Sequence, residues 1–343
     1  MAEPKFLISK KVVLGQFDKV AGYSDIVSYS SKTNPLITAI LEKERGCMFS
    51  VHLVNELKYI KDMSRVLFFA QGWQATEIRE LLYKGIKWFV VDNESDLSIF
   101  ISAINDFSNK VNLLLRMKLK ENTVKTEKYF VFGMDSDVIN EKIKELSNNN
   151  KIGQLGVHFH RKTQNMSEWS LKRELEDLLN KETLGAIDVV NIGGGLPSSY
   201  ANTNTEVLQG IFKKIREFKE WLNSNNIKMM IEPGRFIAAP AGKLVTEIIS
   251  IYGNNIIVNA SVYNTDLDAL IVPVKLLVEG ELKTGKAYKI KGKTPCSLDL
   301  FRYKVYLKNP KVGDNLIFIN AGAYNFSSTF CDLQTLQSVL ADL

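Results

Sequence analysis

The sequence has little cysteine and no long apolar run, and each shortage excludes a class of protein. Its 343 residues include three cysteines, which are too widely spaced for a zinc pattern or a disulfide framework. No apolar run reaches the roughly 18 residues that a membrane-spanning helix needs. The start of the chain, MAEPKFLISKKVVLG, lacks the apolar block and cleavage site of a secretory signal. We therefore expect a cytoplasmic protein with no metal site and no membrane partner.

The chain also lacks a strong excess of one charge. Its 44 basic and 38 acidic residues give a net charge of +6, and the lysines are scattered along helix faces such as KKIREFKEW. A nucleic-acid reader more often clusters its basic residues on one face. Nucleic-acid binding is therefore disfavoured, whereas an anionic substrate remains compatible with the charge.

Short apolar runs alternate with amphipathic segments over the first two thirds of the chain. SDIVSYSS, RVLFFA, KWFVVDN, VNLLLRMKL, QLGVHFH, AIDVVNIGGG and IKMMIEPGR indicate strands, and TEIRELLYKG, ESDLSIFISAI and DVINEKIKEL indicate helices. Strands rich in Val, Ile, Leu and Phe and separated by helices are typical of a parallel sheet buried on both sides. About eight such strands predict an α/β fold of the (β/α)8 TIM-type barrel.

The segment after IGGG gives the clearest helical pattern. Val207, Ile211, Ile215, Phe218 and Leu222 share one helical face. Thr203 and Glu206 have the spacing of a capping box, which predicts that the helix begins there.

After residue 240 the pattern becomes that of a β domain. LVTEIISIYG, NIIVNASVY, LIVPVKLLV, KAYKIKGK and DNLIFINAG indicate strands joined by short turns, without a long helix between them. We predict a barrel over residues 12–238. We predict an antiparallel β-sandwich or β-barrel domain over residues 1–11 and 239–343, to which KFLIS contributes a strand.

Several chemically useful residues follow the predicted barrel strands, where active sites of such barrels lie. They are Lys32, the histidines His158 and His160, the glycines Gly193, Gly194 and Gly195, and the pair Glu232 and Arg235. This combination suits pyridoxal 5′-phosphate. A lysine amine forms a Schiff base with the aldehyde, a carboxylate keeps the pyridine nitrogen protonated, and an imidazole stacks on the ring. Glycines admit the phosphate to backbone N–H groups, and an arginine pairs with its oxygens.

Taken singly, each of these residues has a simpler explanation. A lysine after a strand is usually solvated, a glycine triplet is often a tight turn, and His160 alone suggests a structural histidine. Cys296 alone would be an inert small residue. The order and placement of the whole set favour the cofactor site.

With these motifs, the chain resembles the fold-type III pyridoxal-phosphate decarboxylases, the group that includes ornithine, diaminopimelate and carboxynorspermidine decarboxylases. SYSSKTNPLI resembles the lysine motif of that family, which commonly reads YAVKAN, and CMFSVHLVNEL resembles its F-D-V-A-S-x-x-E-L segment, with Glu56 as the acid. GVHFH, IGGG and EPGR resemble its histidine, phosphate and glutamate–arginine motifs. TPCSLD and NAGAY resemble its cysteine and tyrosine motifs. The resemblance covers almost the whole chain.

The resemblance implies a role for each of these residues. Lys32 anchors the cofactor, His160 stacks on its ring, and Glu232 holds the ring nitrogen. Arg235, Tyr324 and the three glycines bind the phosphate. The substrate loses its α-carboxylate through an external aldimine, and Cys296 protonates the product. The family is usually a head-to-tail homodimer, in which Cys296 serves the partner's site.

The sequence departs from that family mostly where the substrate is recognised. Ser50 stands in the place of an Asp, and Lys162 and Thr163 replace a small Gly-Ser turn. Ser297 follows the cysteine where relatives carry an acid for the distal end of the substrate, and a serine makes no salt bridge to an ammonium. Asp299 or Asp332 is the candidate replacement.

We therefore expect a changed small-molecule or modified-peptide substrate. Candidates are a carboxylated polyamine, a siderophore precursor, or an amino-carboxypropyl group on a peptide or nucleotide. An ordinary diaminopimelate, ornithine or lysine decarboxylase, a racemase with the same barrel and a non-catalytic regulatory relative remain as alternatives.

Overall fold

The chain divides into two compact units. A computed structural model describes residues 3–119, 131–203, 205–325 and 327–342. The barrel unit comprises Asp18–Pro197 and Val207–Gly234, and the β unit comprises Met1–Phe17, Ser198–Glu206 and Arg235–Leu343. The predicted division has boundaries after residues 11 and 238. In the structure the chain passes between the units more often, because the short segment Ser198–Glu206 after the glycine triplet belongs to the β unit.

The first elements of the chain are strand β1 (Lys5–Ile8) and helix α1 (Lys10–Ala21). The eight strands that follow form a closed parallel barrel in chain order, as predicted. They are β2 (Ile26–Ser30), β3 (Met48–Val51), β4 (Val66–Ala70), β5 (Trp88–Val91), β6 (Val111–Arg116), β7 (Ile152–His158), β8 (Val189–Asn191) and β9 (Lys228–Ile231). The pairing of β2 with β9 closes the barrel. Apolar side chains from these strands, including Phe69, Leu114 and Met230, form a buried cluster.

Helices lie between most successive barrel strands, and short 3₁₀ turns join β3 to β4. The helices are α2 (Pro35–Glu44), α3 (Ala75–Tyr83), α4 (Glu94–Asn105), α5 (Ser136–Leu146), α6 (Leu171–Leu178), α7 (Lys181–Ala186) and α8 (Leu208–Ser224). Helix α8 buries four of the five residues of the predicted face, and Val207 is partly exposed as its N-cap. The predicted capping box at Thr203 is therefore wrong, because the helix begins five residues later.

The β unit contains the remaining elements. They are α9 (Arg235–Ala241), β10 (Gly242–Tyr252), β11 (Asn255–Val258), α10 (Asp268–Ile271), β12 (Leu277–Val278), β13 (Leu282–Lys291), β14 (Leu300–Tyr306), β15 (Asn315–Ile319) and β16 (Ser338–Leu340). The sheet order is β12-β15-β10-β11-β13-β14, and β1 pairs with β10 as predicted. The sheet is mixed, since β11 pairs with β13 and β1 with β16 in parallel. The strand predicted for LIVPVKLLV is wrong except at its end, because α10 takes its start.

The barrel places its predicted functional residues at one end. Strands β2, β7, β8 and β9 end at Ser30, His158, Asn191 and Ile231, and the candidate residues follow directly. Because the strands are parallel, their carboxyl ends meet at one mouth of the barrel. We call the residues collected there the barrel-mouth site: Lys32, His52, His158, His160, Gly193–Gly195 and Glu232.

Candidate active site

Lys32 lies on a short turn whose neighbours are buried. Ser31 and Thr33 point inward, and the Ser31 hydroxyl hydrogen-bonds that of Thr38 at 3.0 Å. Asn34 then caps α2 by accepting from the Leu36 N–H. A Cβ at Gly234 would lie 2.3 Å from Thr33 Oγ1, so glycine in EPGR allows that segment to pack on the lysine turn. The turn leaves the Lys32 side chain exposed.

His52 is a candidate site residue that the sequence interpretation missed. Its Nε2 lies 3.3 Å from Lys32 Nζ, and its ring stacks on Phe69 with centroids 4.7 Å apart. Glu56 fixes the same turn by accepting from the backbone N–H groups of His52 and Leu53. Burial first, and then the positive charge of Lys32, lowers the pKa of His52 to about 3. A neutral imidazole therefore faces the lysine amine and accepts its hydrogen bond.

The other two histidines lie on and just after β7. His158 is buried, its ring meets Phe69 edge-on at 5.0 Å, and neither ring nitrogen has a hydrogen-bond partner among the described residues. His160 is reached from the mouth of the barrel, and its Nδ1 accepts from the Gly194 N–H at 3.2 Å. Protein atoms on its other sides remove hydration and lower the pKa of His160 to about 4. Both rings are therefore neutral at pH 7.

Glu232 is the buried acid of the site. Its Oε1 accepts from Asn191 Nδ2 at 2.6 Å, and His158 Nε2 lies 3.7 Å from the same oxygen. Burial raises the pKa of Glu232 to about 7, against the hydrogen bonds from Asn191 and Ser50 and the charge of Lys32, which lower it. Ser50, the residue found in place of an Asp, thus contributes a neutral hydroxyl to this carboxyl group. The sequence alone shows Ser50 only as a departure from the Asp of the family motif.

The glycine triplet has no room for side chains. A Cβ at Gly193 would lie 2.7 Å from the Phe159 carbonyl oxygen, one at Gly194 would lie 2.6 Å from that of Glu232, and one at Gly195 would lie 2.5 Å from that of Lys162. Gly193 and Gly195 also have positive φ values of 64° and 100°. The loop therefore needs glycine for close packing as well as for its backbone conformation.

The loop after His160 is held by ion pairs. Arg161 pairs with Glu174 and Glu168, and Lys162 also pairs with Glu168. Gly195 accepts a backbone hydrogen bond from Asn165. The basic side chains found in place of a small turn are thus engaged with acids, and Thr163 lies between these tethered residues and Asn165.

The barrel-mouth residues fit pyridoxal phosphate. They include one exposed amine, one buried carboxyl group whose pKa is near 7, an imidazole at the mouth and a loop of three glycines that carries no side chains. The two unpaired nitrogens of His158 also mark a buried polar surface without a protein partner among the described residues. A heteroaromatic ring with an aldehyde, a basic nitrogen and a phosphate matches these groups one by one.

Arg235 has partners of its own within the β unit. Its guanidinium makes two hydrogen bonds to Asp268, at 2.5 and 3.1 Å, and a third to the Tyr200 hydroxyl at 3.0 Å. The Tyr324 ring lies 4.7 Å from the guanidinium carbon. Asp266 is buried nearby, and burial together with Asp268 raises its pKa well above the usual range. We call this set the Arg235 cluster. The predicted phosphate contacts of Arg235 and Tyr324 stay predictions. A phosphate would compete with Asp268 for the Arg235 guanidinium.

Cys296 lies beside Tyr263 in the β unit. Its Sγ is 2.9 Å from the Tyr263 hydroxyl, whose ring stacks on Phe330 with centroids 4.0 Å apart. The hydrogen bond from this hydroxyl holds the pKa of the Cys296 thiol below its usual value and raises that of Tyr263 to about 12. Cys47, by contrast, is buried, and burial raises its pKa to about 11. Of these two thiols, Cys296 is therefore the more easily ionised.

The predicted substrate residues near Cys296 differ in their surroundings. Ser297 is exposed, and Asp332 lies exposed in a short turn with a positive φ of 58°. Asp299 is buried, and its carboxylate accepts from the Val262 N–H and from the N–H and hydroxyl of Thr294. These bonds explain Asp299 as a residue that fixes the cysteine loop. The predictions that Ser297, Asp299 and Asp332 recognise substrate stay predictions.

Comparison with known proteins identifies one family. The model described as "Pyridoxal-dependent decarboxylase, pyridoxal binding domain" matches residues 14–239, about two thirds of the chain. This range contains the barrel and all the residues of the barrel-mouth site.

Individual relatives are distant but cover much of the chain. The diaminopimelate decarboxylase of Aquifex aeolicus is 24% identical over 359 residues, covering 94% of this chain and 82% of that protein. The 2-[(L-alanin-3-ylcarbamoyl)methyl]-2-hydroxybutanedioate decarboxylase of Staphylococcus aureus is 22% identical over 204 residues, covering 56% and 51%. The lysine/ornithine decarboxylase of Vibrio vulnificus, solved with cadaverine, has a TM-score of 0.80 at 20% identity, covering 99% and 95%. At that identity, the structural likeness shows the fold alone.

Proposed function

Because the chain belongs to the pyridoxal-dependent decarboxylases, we propose that it removes the α-carboxylate of an amino-acid substrate whose distal end is not a simple ammonium group. The family gives the reaction class, a carboxy-lyase reaction with pyridoxal phosphate. The substrate is inferred from the β unit. Ser297 follows the candidate catalytic cysteine, and the acid two residues further along, Asp299, already accepts three hydrogen bonds from the protein.

The barrel-mouth residues have distinct roles in this proposal. When bound, pyridoxal phosphate supplies the sink for the electrons that the departing carboxylate leaves behind. Lys32 provides the anchoring amine, and the neutral His52 holds that amine in place by accepting its hydrogen bond. Glu232, with a pKa of about 7, would hold a basic ring nitrogen of the cofactor and could keep it protonated near neutral pH. The glycine loop would hold the phosphate, and Arg235, beside Tyr324, is its proposed charged partner.

Cys296 is the proposed proton donor to the product. The hydrogen bond from Tyr263 orients the sulfur and lowers the pKa of the thiol. A lower pKa makes the thiol a stronger proton donor, and the thiolate it leaves is protonated again after each cycle. In the proposed homodimer this cysteine serves the partner's cofactor. Mixing Lys32→Ala and Cys296→Ala proteins should then restore activity that neither has alone, with subunit exchange followed by mass spectrometry. Exchange without recovery would exclude a shared site.

The relatives support two kinds of substrate. Diaminopimelate and ornithine/lysine decarboxylases favour the alternative, in which this chain acts on an ordinary diamino acid. The staphylococcal relative acts on a substrate that carries a hydroxybutanedioate group. That chemistry supports a tailoring enzyme for a siderophore precursor, beside the carboxylated polyamine and amino-carboxypropyl candidates.

The described residues contain no helix long and apolar enough to cross a membrane. We propose a cytoplasmic location.

Borohydride reduction followed by peptide mapping tests the cofactor site. A pyridoxyl adduct is expected on Lys32, and Lys32→Ala should lose both the adduct and all measurable CO₂ release. The control Lys61→Ala, an exposed lysine outside the site, should keep both. An adduct on another lysine, or turnover by Lys32→Ala, would refute the assignment. A CO₂-release screen over diamino acids, carboxy-polyamines and hydroxy-carboxylate amino acids then separates the two substrate classes.

A further inference from the structure

Next to Cys296, the β unit contains a cavity of about 600 Å³. This volume is within the range of small-molecule sites, about 300–1,000 Å³. Its lining runs from Tyr252 and Asn255 across the sheet to the loop that carries Cys296 and Ser297. We call it the Cys296 cavity.

Three lysines line the Cys296 cavity: Lys289, Lys291 and Lys293. Their spacing of two residues places them on one face of β13 and its extension, while Tyr288 and Ile290 are buried on the other face. The Lys291 amine donates to the Tyr252 hydroxyl at 2.9 Å, and the Lys289 amine lies 5.7 Å from the centre of the Tyr303 ring. These two amines are therefore held by aromatic neighbours at the cavity wall.

No carboxylate lies within ion-pair distance of these lysines among the described residues. Asp299 is the acid among the described lining residues, and it is buried and hydrogen-bonded to Val262 and Thr294. An incoming ammonium group would therefore meet positive charge without an acid ready to receive it. An incoming anion would meet three amines and two phenol rings.

We propose that the Cys296 cavity is an anion-binding site and that it takes the carboxylate-bearing distal end of the substrate. This inference rests on the proposed function in one respect, because it assigns the bound anion to the decarboxylase substrate through the neighbouring Cys296 and Ser297. Binding of a multiply charged anion is the shared chemistry, and both carboxylates and phosphates provide it. The proposal expects that diamines do not bind in this cavity.

The test is calorimetric titration of the holoenzyme with citrate, pyrophosphate and cadaverine in separate experiments. Citrate should bind, its affinity should fall as salt is added, and cadaverine should not bind at this cavity. In the double variant Lys289→Gln/Lys291→Gln the citrate affinity should fall at least tenfold. The matched control is Lys283→Gln, an exposed lysine on the same strand that does not line the cavity, and it should bind citrate as the unchanged protein does. Stronger binding of pyrophosphate than of citrate would replace the carboxylate by a phosphate-bearing group.

Two results would overturn the inference. One is absence of citrate and pyrophosphate binding, or binding that the double variant leaves unchanged. The other is a change of oligomeric state in the double variant, measured by light scattering, which would assign the lysines to a subunit interface. Because the titration needs no turnover, a protein that binds citrate but releases no CO₂ would refute only the proposed function. A decarboxylase that ignores citrate would refute only this inference.

Discussion

The barrel mouth and the β unit differ in how many of their side chains carry a full charge. At the barrel mouth, three neutral histidines and one buried carboxyl group with a raised pKa surround a single exposed lysine. In the β unit, full charges are buried as a pair at Arg235 and Asp268 or lie, as lysines, partly or fully exposed around Cys296. The first arrangement suits a cofactor whose ring exchanges protons, and the second suits recognition of charged groups.

This difference indicates that the barrel determines the cofactor chemistry and that the β unit determines the choice of substrate. Strand ends of the barrel fix the cofactor residues within one backbone framework, so few substitutions are compatible with it. Loops and one sheet face of the β unit present the remaining groups, and there side chains change without rebuilding the framework. We expect the cofactor chemistry to follow the family and the substrate to follow the β unit.

The largest expected effect concerns the buried pair in the β unit. Asp268→Asn removes the carboxylate that accepts two hydrogen bonds from the Arg235 guanidinium, and both side chains are less than 10% exposed. Breaking such a pair costs about 3–5 kcal/mol of unfolding free energy, which urea unfolding of the cofactor-free protein measures. Burial, together with the charge of Asp268, raises the pKa of Asp266 well above its usual range, so in Asp268→Asn this carboxyl group would ionise more readily and replace part of the lost charge. The double change of both aspartates should therefore show the full loss.

The surface pair of Asp18 and Arg45 is the control for that prediction. It has a similar hydrogen-bond geometry, with the Asp18 side chain 56% exposed, and Asp18→Asn should cause a much smaller loss. Equal losses in the two variants would mean that burial gives the Arg235 cluster no special role. If Arg235 binds phosphate, adding pyridoxal phosphate should restore more stability to Asp268→Asn than to the unchanged protein.

The pH dependence of stability tests the barrel mouth. The pKa of Glu232 is about 7 in the folded protein against an ordinary value of 4.5, so the folded state holds this proton more tightly than the unfolded state. The resulting stabilisation is complete below pH 4.5 and is lost as pH rises through 7. Its upper limit is about 3 kcal/mol.

Comparison with Glu232→Gln isolates this contribution. The lowered pKa values of the histidines give the opposite slope, because their unfolded forms bind protons more readily. The difference in unfolding free energy between the cofactor-free protein and Glu232→Gln should therefore fall between pH 4.5 and 7. A difference that is constant over this range would show that Glu232 is not shifted.

Much of the barrel could be predicted from the sequence because buried parallel strands leave a strong pattern. Short runs such as RVLFFA and KWFVVDN have few alternatives, and the residues after them fall at one end of the barrel in any such fold. The β unit was less predictable. LIVPVKLLV is apolar enough for a strand, but most of its length forms α10 and irregular chain, and only tertiary contacts decide between the two.

Individual side chains of the site divide in the same way. Lys32 and Glu232 are recognisable because a motif surrounds them, and the family model covers both. His52 is not, because nothing in VHLVNEL distinguishes a histidine that meets Lys32 from one in solvent. The Arg235–Asp268 pair joins residues 33 positions apart, and sequence spacing does not show that an acid meets the arginine of EPGR.

The glycine loop offers a smaller test of how tightly the barrel mouth is built. Gly194→Ala would place a Cβ 2.6 Å from the Glu232 carbonyl oxygen, so the backbone must shift. We expect a loss of about 1–3 kcal/mol together with weaker binding of pyridoxal phosphate, measured by thermal unfolding and by absorbance titration. Gly185→Ala in helix α7 is the control, because nothing lies within 4 Å of its Cβ, and it should be neutral or stabilising. Equal behaviour of the two variants would contradict the close packing.

The smallest expected effect concerns His52, the neutral imidazole that contacts the Lys32 amine. His52→Phe keeps an aromatic ring to stack on Phe69 but removes the acceptor that lies 3.3 Å from Lys32 Nζ. A hydrogen bond that orients the Lys32 amine for attack on an aldehyde lowers the barrier to that attack, so capture of pyridoxal phosphate should slow by up to about tenfold in His52→Phe, which corresponds to about 1.4 kcal/mol. Stopped-flow absorbance after mixing cofactor with the cofactor-free protein measures this rate. His52→Gln, which offers an amide oxygen as acceptor, should recover part of it, and a rate that is unchanged in His52→Phe would show that Lys32 needs no partner to be held in place.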